Sequence, residues 1–190
     1  MKKTKDCVRI IGIDPGTTKL GWCIIDYSVK TNLRTVMRTG VVKGTYRASK
    51  RKGLIEKFYS RLIALEIIEE VLSDLCETFS PDYHASEDAF MNRKFPNAFP
   101  ALLLCIQCIE RLLFRKYESP LYKYAPRRIK SIFAGNGNAS KALIKSTTLN
   151  SNEIVFKQQS LVDKEKISEH EYDAIAVACT FIDTDFVHIR

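Results

Sequence analysis

Between Cys7 and Asp26 the chain reads CVRIIGIDPGTTKLGWCIID. An apolar strand ends on a lone carboxylate, Asp14, and turns on Pro15-Gly16-Thr17-Thr18 into a second apolar strand. No other stretch restricts the fold as tightly. Two apolar strands joined by so short a turn become antiparallel neighbours in a sheet. The charge at the strand tip then lies at the sheet's edge, where glycine lets a phosphate or another backbone come close. A third strand pattern, LRTVMRTGVV (33–42), follows after SVKTN.

Beyond it the hydrophobic period lengthens. Leu54, Phe58, Leu62, Leu65, Ile68, Leu72 and Leu75 recur every three or four residues and predict one amphipathic helix over 53–79, ended by Pro81. A short strand, YHASE (83–87), leads into the loop DAFMNRKFPN and then a mostly buried helix over 98–117. PLYKYAP (120–126) reads as a strand closed by Pro126, and a glycine-bearing turn precedes a helix from about Ser140. EIVF (153–156) is too short to assign. Ser168 and Glu171 have capping-box spacing, which starts a last helix running to about Asp183. This order predicts an α/β fold with a mixed five-stranded sheet and helices on both faces, in a single domain over 1–190.

Charge narrows the function. The net charge is +8, concentrated in two places. Residues 43–61 hold seven Lys/Arg against one Glu, and residues 115–145 hold eight against one. Such patches favour a polyanion, nucleic acid first. No apolar run approaches the roughly 20 residues that span a bilayer, so no membrane association is expected. The six cysteines mostly sit inside apolar patterns, as buried free thiols of a reducing cytoplasm do. Cys105 and Cys108 form a lone CxxC inside an apolar helix, without the second pair that a zinc site needs.

Three acids occupy comparable places. Asp14 ends the first strand, Glu87 ends the fourth, and Asp173 lies near the start of the last helix, on one face with His170. Strands running parallel bring their carboxyl ends to one edge, where open α/β sheets place their sites. The apolar stripe Ala174, Val177, Ala178 and Phe181 would pull the helix, and Asp173 with it, onto the sheet. Clustered carboxylates repel one another unless a cation intervenes, and hard divalent ions with oxygen ligands serve that purpose.

IIGIDPGTTKLGWCIID, SEDAF, the stretch from Pro126 to Lys145 and HEYDAIAVA together resemble the RuvC family of Holliday junction resolvases, which are ribonuclease H-like endonucleases. The likeness runs from about residue 8 to about residue 182. It implies that Asp14, Glu87, His170 and Asp173 are catalytic and bind two Mg²⁺ ions, for which Mn²⁺ can substitute. It also implies a homodimer that nicks two strands of a four-way DNA junction symmetrically, in recombination and repair. Phe90 matches an aromatic residue that stacks near the crossover, and Lys130 and Lys141 match lysines serving DNA binding and catalysis. Their polar neighbours Asn92, Arg93, Lys94, Arg127 and Arg128 are expected to contact DNA too. The loops at 43–52 and MNRKFPNAF depart from the bacterial pattern, as in a divergent, bacteriophage-like member. They leave open the cleavage preference and the choice of four-way junctions over flaps or forks. GIDPGTT also resembles the phosphate turn of actin-like and Hsp70-like ATPases. Those proteins need a second Asp-x-Gly loop and a Gly-Gly pair, and this chain has neither.

Overall fold

The structure, a computed structural model, describes residues 6–91, 96–157 and 167–189. Strands β1 (Cys7–Asp14), β2 (Leu20–Ser28) and β3 (Arg34–Val42) form an antiparallel meander. Two short helices, α1 (Gly44–Ala48) and α2 (Lys52–Ile55), precede the long α3 (Ser60–Phe79). Then come β4 (Tyr83–Glu87), α4 (Ala98–Leu112), β5 (Leu121–Tyr124), α5 (Pro126–Ala134) and α6 (Lys141–Asn150). The chain continues through β6 (Ile154–Phe156) and α7 (Glu169–Phe181) to a short α8 (Val187–Ile189). The sheet order is β5-β4-β1-β2-β3-β6, with β4 parallel to both β1 and β5, and β6 parallel to β3.

The sheet is mixed and carries helices on both faces, as the sequence predicts, but it has six strands instead of five. The sixth is a three-residue edge strand, held to β3 through Arg34. The Arg34 backbone N–H donates to Glu153 O at 2.8 Å, and its buried guanidinium reaches Glu153 at 3.3 Å and Asp183 Oδ2 at 3.2 Å. Ile154 and Phe156 of this strand enter the core while Val155 faces outward.

Residues alternate between faces along each strand. Ile11, Ile13, Trp22 and Ile24 enter the core beneath α3 and α4. Ile10, Cys23, Ile25 and Ala85 enter the core beneath α7. Helix α7 is buried around nearly its whole circumference, from Tyr172 through Phe181. Its start is fixed by the capping box, in which the Ser168 N–H donates to Glu171 Oε2 at 2.8 Å.

Four helical expectations need correction. The helix over 53–79 is broken, because Tyr59 is extended (ψ 138°) between α2 and α3. The buried face of α3 is Ile63, Ala64, Ile67, Ile68, Leu72 and Cys76, so Leu54, Phe58 and Leu62 from the expected stripe lie exposed. The helix over 98–117 ends at Leu112 and passes into a π-helical turn (113–117), and Leu103, Leu104 and Phe114 face solvent. Pro126 opens a helix, α5, besides closing a strand; its fixed φ suits the first helical position. The last helix ends at Phe181, again in a π-helical turn (182–186). Among the described residues no helix is long and apolar enough to cross a membrane.

Helix α7 approaches the sheet at van der Waals limits. A Cβ on Gly12 would lie 2.3 Å from the Ala174 carbonyl oxygen, and one on Gly21 would lie 2.1 Å from the His170 carbonyl oxygen. Both obstacles are backbone of α7, whose body is buried from Tyr172 to Phe181 and cannot yield cheaply. Gly12→Ala is therefore expected to cost roughly 1–3 kcal/mol, as overpacking of a tight core does. Chemical denaturation measures it, and an unchanged midpoint would show that α7 is free to shift.

Candidate active site

Asp14 and Glu87 reach the same edge through register. Ile10 to Ile13 of β1 pair in parallel with Tyr83 to Ser86 of β4, and one position further along each strand stand Asp14 and Glu87. Asp14 shares its face with Ile10 and Gly12, and Glu87 shares that face with Ala85, so both carboxylates lie on the side covered by α7. Gly21 pairs directly with Asp14 across β1 and β2. The absence of a Cβ there lets the first turn of α7 settle over Asp14, and His170 Nδ1 lies 2.8 Å from Asp14 Oδ2. Asp173, one turn along α7, joins the same group.

The electrostatics show how closely these groups are coupled. The Glu87 carboxyl is pushed up to about 8, chiefly by burial and then by Asp14 and Asp173, with Lys130 and Lys141 acting against the rise. Burial likewise pushes Asp173 up to about 6, with Asp14 adding to the rise and Lys141 and His170 countering it. The hydrogen bond to Asp14 holds the His170 imidazolium above the ordinary histidine range. Three carboxyl groups thus share a poorly solvated edge, with one imidazole and two lysines as counter-charges.

The lysines arrive from the segment after β5. Lys130 lies on α5, and Lys141 is the first residue of α6, whose N-cap Ser140 accepts from the Leu143 N–H at 3.2 Å. Lys141 Nζ is 3.0 Å from Glu169 Oε2. Arg127 and Arg128 are exposed at the start of α5, with Arg128 over the Tyr124 ring. Phe90 is 56% exposed, just past Glu87, and does not serve as core packing. Asn92, Arg93 and Lys94 lie outside the described residues.

Two neighbours escaped the sequence reading. Glu169 pairs with Lys141 and stands 3.7 Å from His170 Nε2. Its place one residue before His170, in the first helical turn, was the available signal. Arg61 lines a cleft of about 500 Å³ together with Asp14, Thr17, Lys19 and His170. Nothing local ties an arginine on α3 to Asp14, so only the fold could show it. His84, in contrast, points to the other face of β4. It is buried against Ser119 (2.9 Å) and Cys76, and burial lowers its pKa to about 4.

A mixed sheet in this order, with carboxylates ending two adjacent parallel strands and a third on the helix packed over them, defines the ribonuclease H-like class. Two solved structures show the same fold. Thermus thermophilus RuvC in complex with a Holliday junction substrate aligns with a TM-score of 0.69 at 20% identity, over 95% of this chain and 96% of that one. The yeast mitochondrial Holliday junction resolvase aligns with a TM-score of 0.60 at 15% identity, over 92% and 79%. A relative from Wolbachia pipientis, a crossover junction endodeoxyribonuclease RuvC, is 30% identical over 173 residues, 90% of each chain. Residues 10–181 match the family model described as crossover junction endodeoxyribonuclease RuvC, and the chain belongs to that family.

The family depends on divalent metal. The donor set here fits such an ion in kind and in charge: three hard carboxylates, two of them with pKa values raised chiefly by burial and then by neighbouring carboxylates, and one imidazole. Among the described residues no three His, Cys, Asp or Glu side chains converge closely enough to hold one ion. Asp14 meanwhile spends an oxygen on His170.

The raised Glu87 pKa has a measurable consequence in metal-free protein. From the unfolded value near 4.5 up to about 8, the folded chain keeps a proton on Glu87 that the unfolded chain releases. This contribution to stability is complete below pH 4.5 and lost as pH rises towards 8. In EDTA, Glu87→Gln should melt near the parent's temperature at pH 4.5 and increasingly above it as pH approaches 8. A difference that stays constant over that window would contradict the shift.

Proposed function

We propose that this chain is a metal-dependent DNA endonuclease that resolves four-way junctions by paired symmetric nicks, acting as a homodimer of single-domain chains. The observation that carries the reading is the convergence of Asp14, Glu87 and Asp173 at one sheet edge, with Lys130 and Lys141 opposing their charge. Membership of the RuvC family supplies the substrate class.

In this reading Asp14, Glu87, Asp173 and His170 hold two Mg²⁺ ions, with Mn²⁺ able to substitute. Such ions, when bound, lower the pKa of an attacking water and stabilise charge on the departing 3′ oxygen. The chain's own groups do the rest. His170 holds its proton at Nδ1 against Asp14 Oδ2 and keeps that carboxylate oriented. Lys130 and Lys141 draw the phosphate backbone over the carboxylates, and Lys141 must exchange Glu169 for a phosphate to do so. Arg127 and Arg128 extend the track along the DNA backbone, and Asn92, Arg93 and Lys94 contribute to it. Phe90 stacks on a base at the crossover. The products carry a 5′-phosphate and a 3′-hydroxyl.

Asp14→Asn keeps the shape of the site but removes a negative ligand. It should abolish nicking of a four-way junction while gel-shift affinity is kept or tightens, because repulsion between carboxylate and phosphate is relieved. Substantial residual nicking would refute the metal assignment. In the same assay Phe90→Ala should slow cleavage of a fully paired junction strongly, and unpaired bases at the crossover should restore much of the rate. Its melting temperature should be unchanged; a loss of about 3–5 kcal/mol, as for a core phenylalanine, would mean that Phe90 packs instead.

A further inference from the structure

Residues 43–61 leave most of their side chains outside the two cores. Helix α2 has no buried residue, and α1 buries only Gly44 and Ala48. Large rings stand in water: Tyr59 is 89% exposed, Tyr46 60% and Phe58 49%. They are interleaved with seven Lys/Arg and a single Glu. Among the described residues only Arg51 of the seven forms an ion pair, with Glu70 at 2.7 Å. Exposed rings among unpaired cations bring the fold no packing and leave both kinds of group for a partner.

Both ends of the segment are tied to the catalytic edge. The Thr45 N–H donates to the Thr17 carbonyl oxygen at 3.1 Å, and its hydroxyl to the same oxygen at 3.2 Å, which pins α1 to the turn after Asp14. Arg61, at the other end, lines the cleft that contains Asp14 and His170. A strand leaving this cleft therefore meets the aromatic and basic surface next.

We infer that residues 43–61 form an arm that grips an unpaired strand of branched DNA beside the scissile phosphate, with Tyr46 and Tyr59 stacking on bases and the lysines and arginines tracking phosphates. The inference rests on the nuclease reading for its location only. Stacking rings with cations between them make the sequence-tolerant platform used for single strands. An intact duplex hides its base faces, so the rings can engage only where pairing is already broken. Lys50 Nζ, 5.0 Å from the Tyr46 ring centroid, already places a cation against one such ring.

The test uses the full chain in EDTA, so that binding is measured without cleavage. Anisotropy titrations compare an oligothymidine strand, a four-way junction with unpaired thymidines at the crossover, and a blunt duplex. Tyr46→Ala/Tyr59→Ala should weaken the first two roughly tenfold or more, with less than about a twofold change on the duplex. Its salt slope should be unchanged. Lys50→Gln/Lys52→Gln/Lys57→Gln should instead reduce the slope by up to about two units on the single strand and up to about 2.7 on the junction. Both variants alter exposed side chains, and an unchanged melting temperature checks that they fold. Equal losses by the tyrosine variant on all three DNAs, or none on any, would overturn the arm. So would loss of self-association in sedimentation with DNA binding intact, which marks the rings as a protein interface. Binding to anionic phospholipid vesicles that the tyrosine variant loses, with DNA binding intact, would overturn it in favour of a lipid surface. If the parent binds branched DNA in this way but never nicks it, the nuclease reading fails and the arm stands.

Discussion

The close seating of α7 on β1 and β2 is the contact on which the rest depends. Gly12 and Gly21 remove two Cβ atoms from one face of the meander, and the carbonyl oxygens of Ala174 and His170 fill the space. A helix held so near cannot slide without striking the sheet. Its first turn is thereby fixed above Asp14, bringing His170 within 2.8 Å and Asp173 into the same poorly solvated edge. The apolar body of α7, buried from Tyr172 to Phe181, supplies the driving force; the two glycines set where it stops.

That seating creates an electrostatic problem which the surrounding charges only partly answer. Burial and mutual repulsion hold Glu87 near 8 and Asp173 near 6, although Lys130, Lys141 and His170 all act against the rise. A divalent cation at this edge would relieve that repulsion and lower both values. The same lysines extend positive potential outward from the edge, where a phosphate backbone would lie. Stability in the metal-free chain is given up for this, as expected where function and folding compete for the same groups.

Much of this could be read from the sequence because it is written locally. The strand ending on Asp14, the parallel partner ending on Glu87, the capping box at Ser168 and the stripe behind Asp173 all follow from period and spacing. Other features depend on distant partners. β6 is only three residues long and pairs with β3, more than a hundred residues away in the chain, next to the Arg34–Glu153 ion pair. Leu54, Phe58 and Leu62 keep helical spacing yet face water, because periodicity reports a stripe and not what covers it. Gly12 and Gly21 look like any glycine in a strand until α7 is placed upon them. Pro126 can close a strand and open a helix at once, and α5 was hidden by that ambiguity.

The central claim is that this acidic edge cuts branched DNA, and selectivity tests it most directly. The unaltered chain with Mg²⁺ would be given a four-way junction, a flap and a linear duplex of shared sequence, and the nicks mapped on every strand. The account predicts nicks at matching positions on two opposed strands of the junction, ends that a ligase seals, and little cutting of the other two substrates. Cleavage of the flap or the duplex at a rate matching the junction, or cleavage that persists in EDTA, would contradict it.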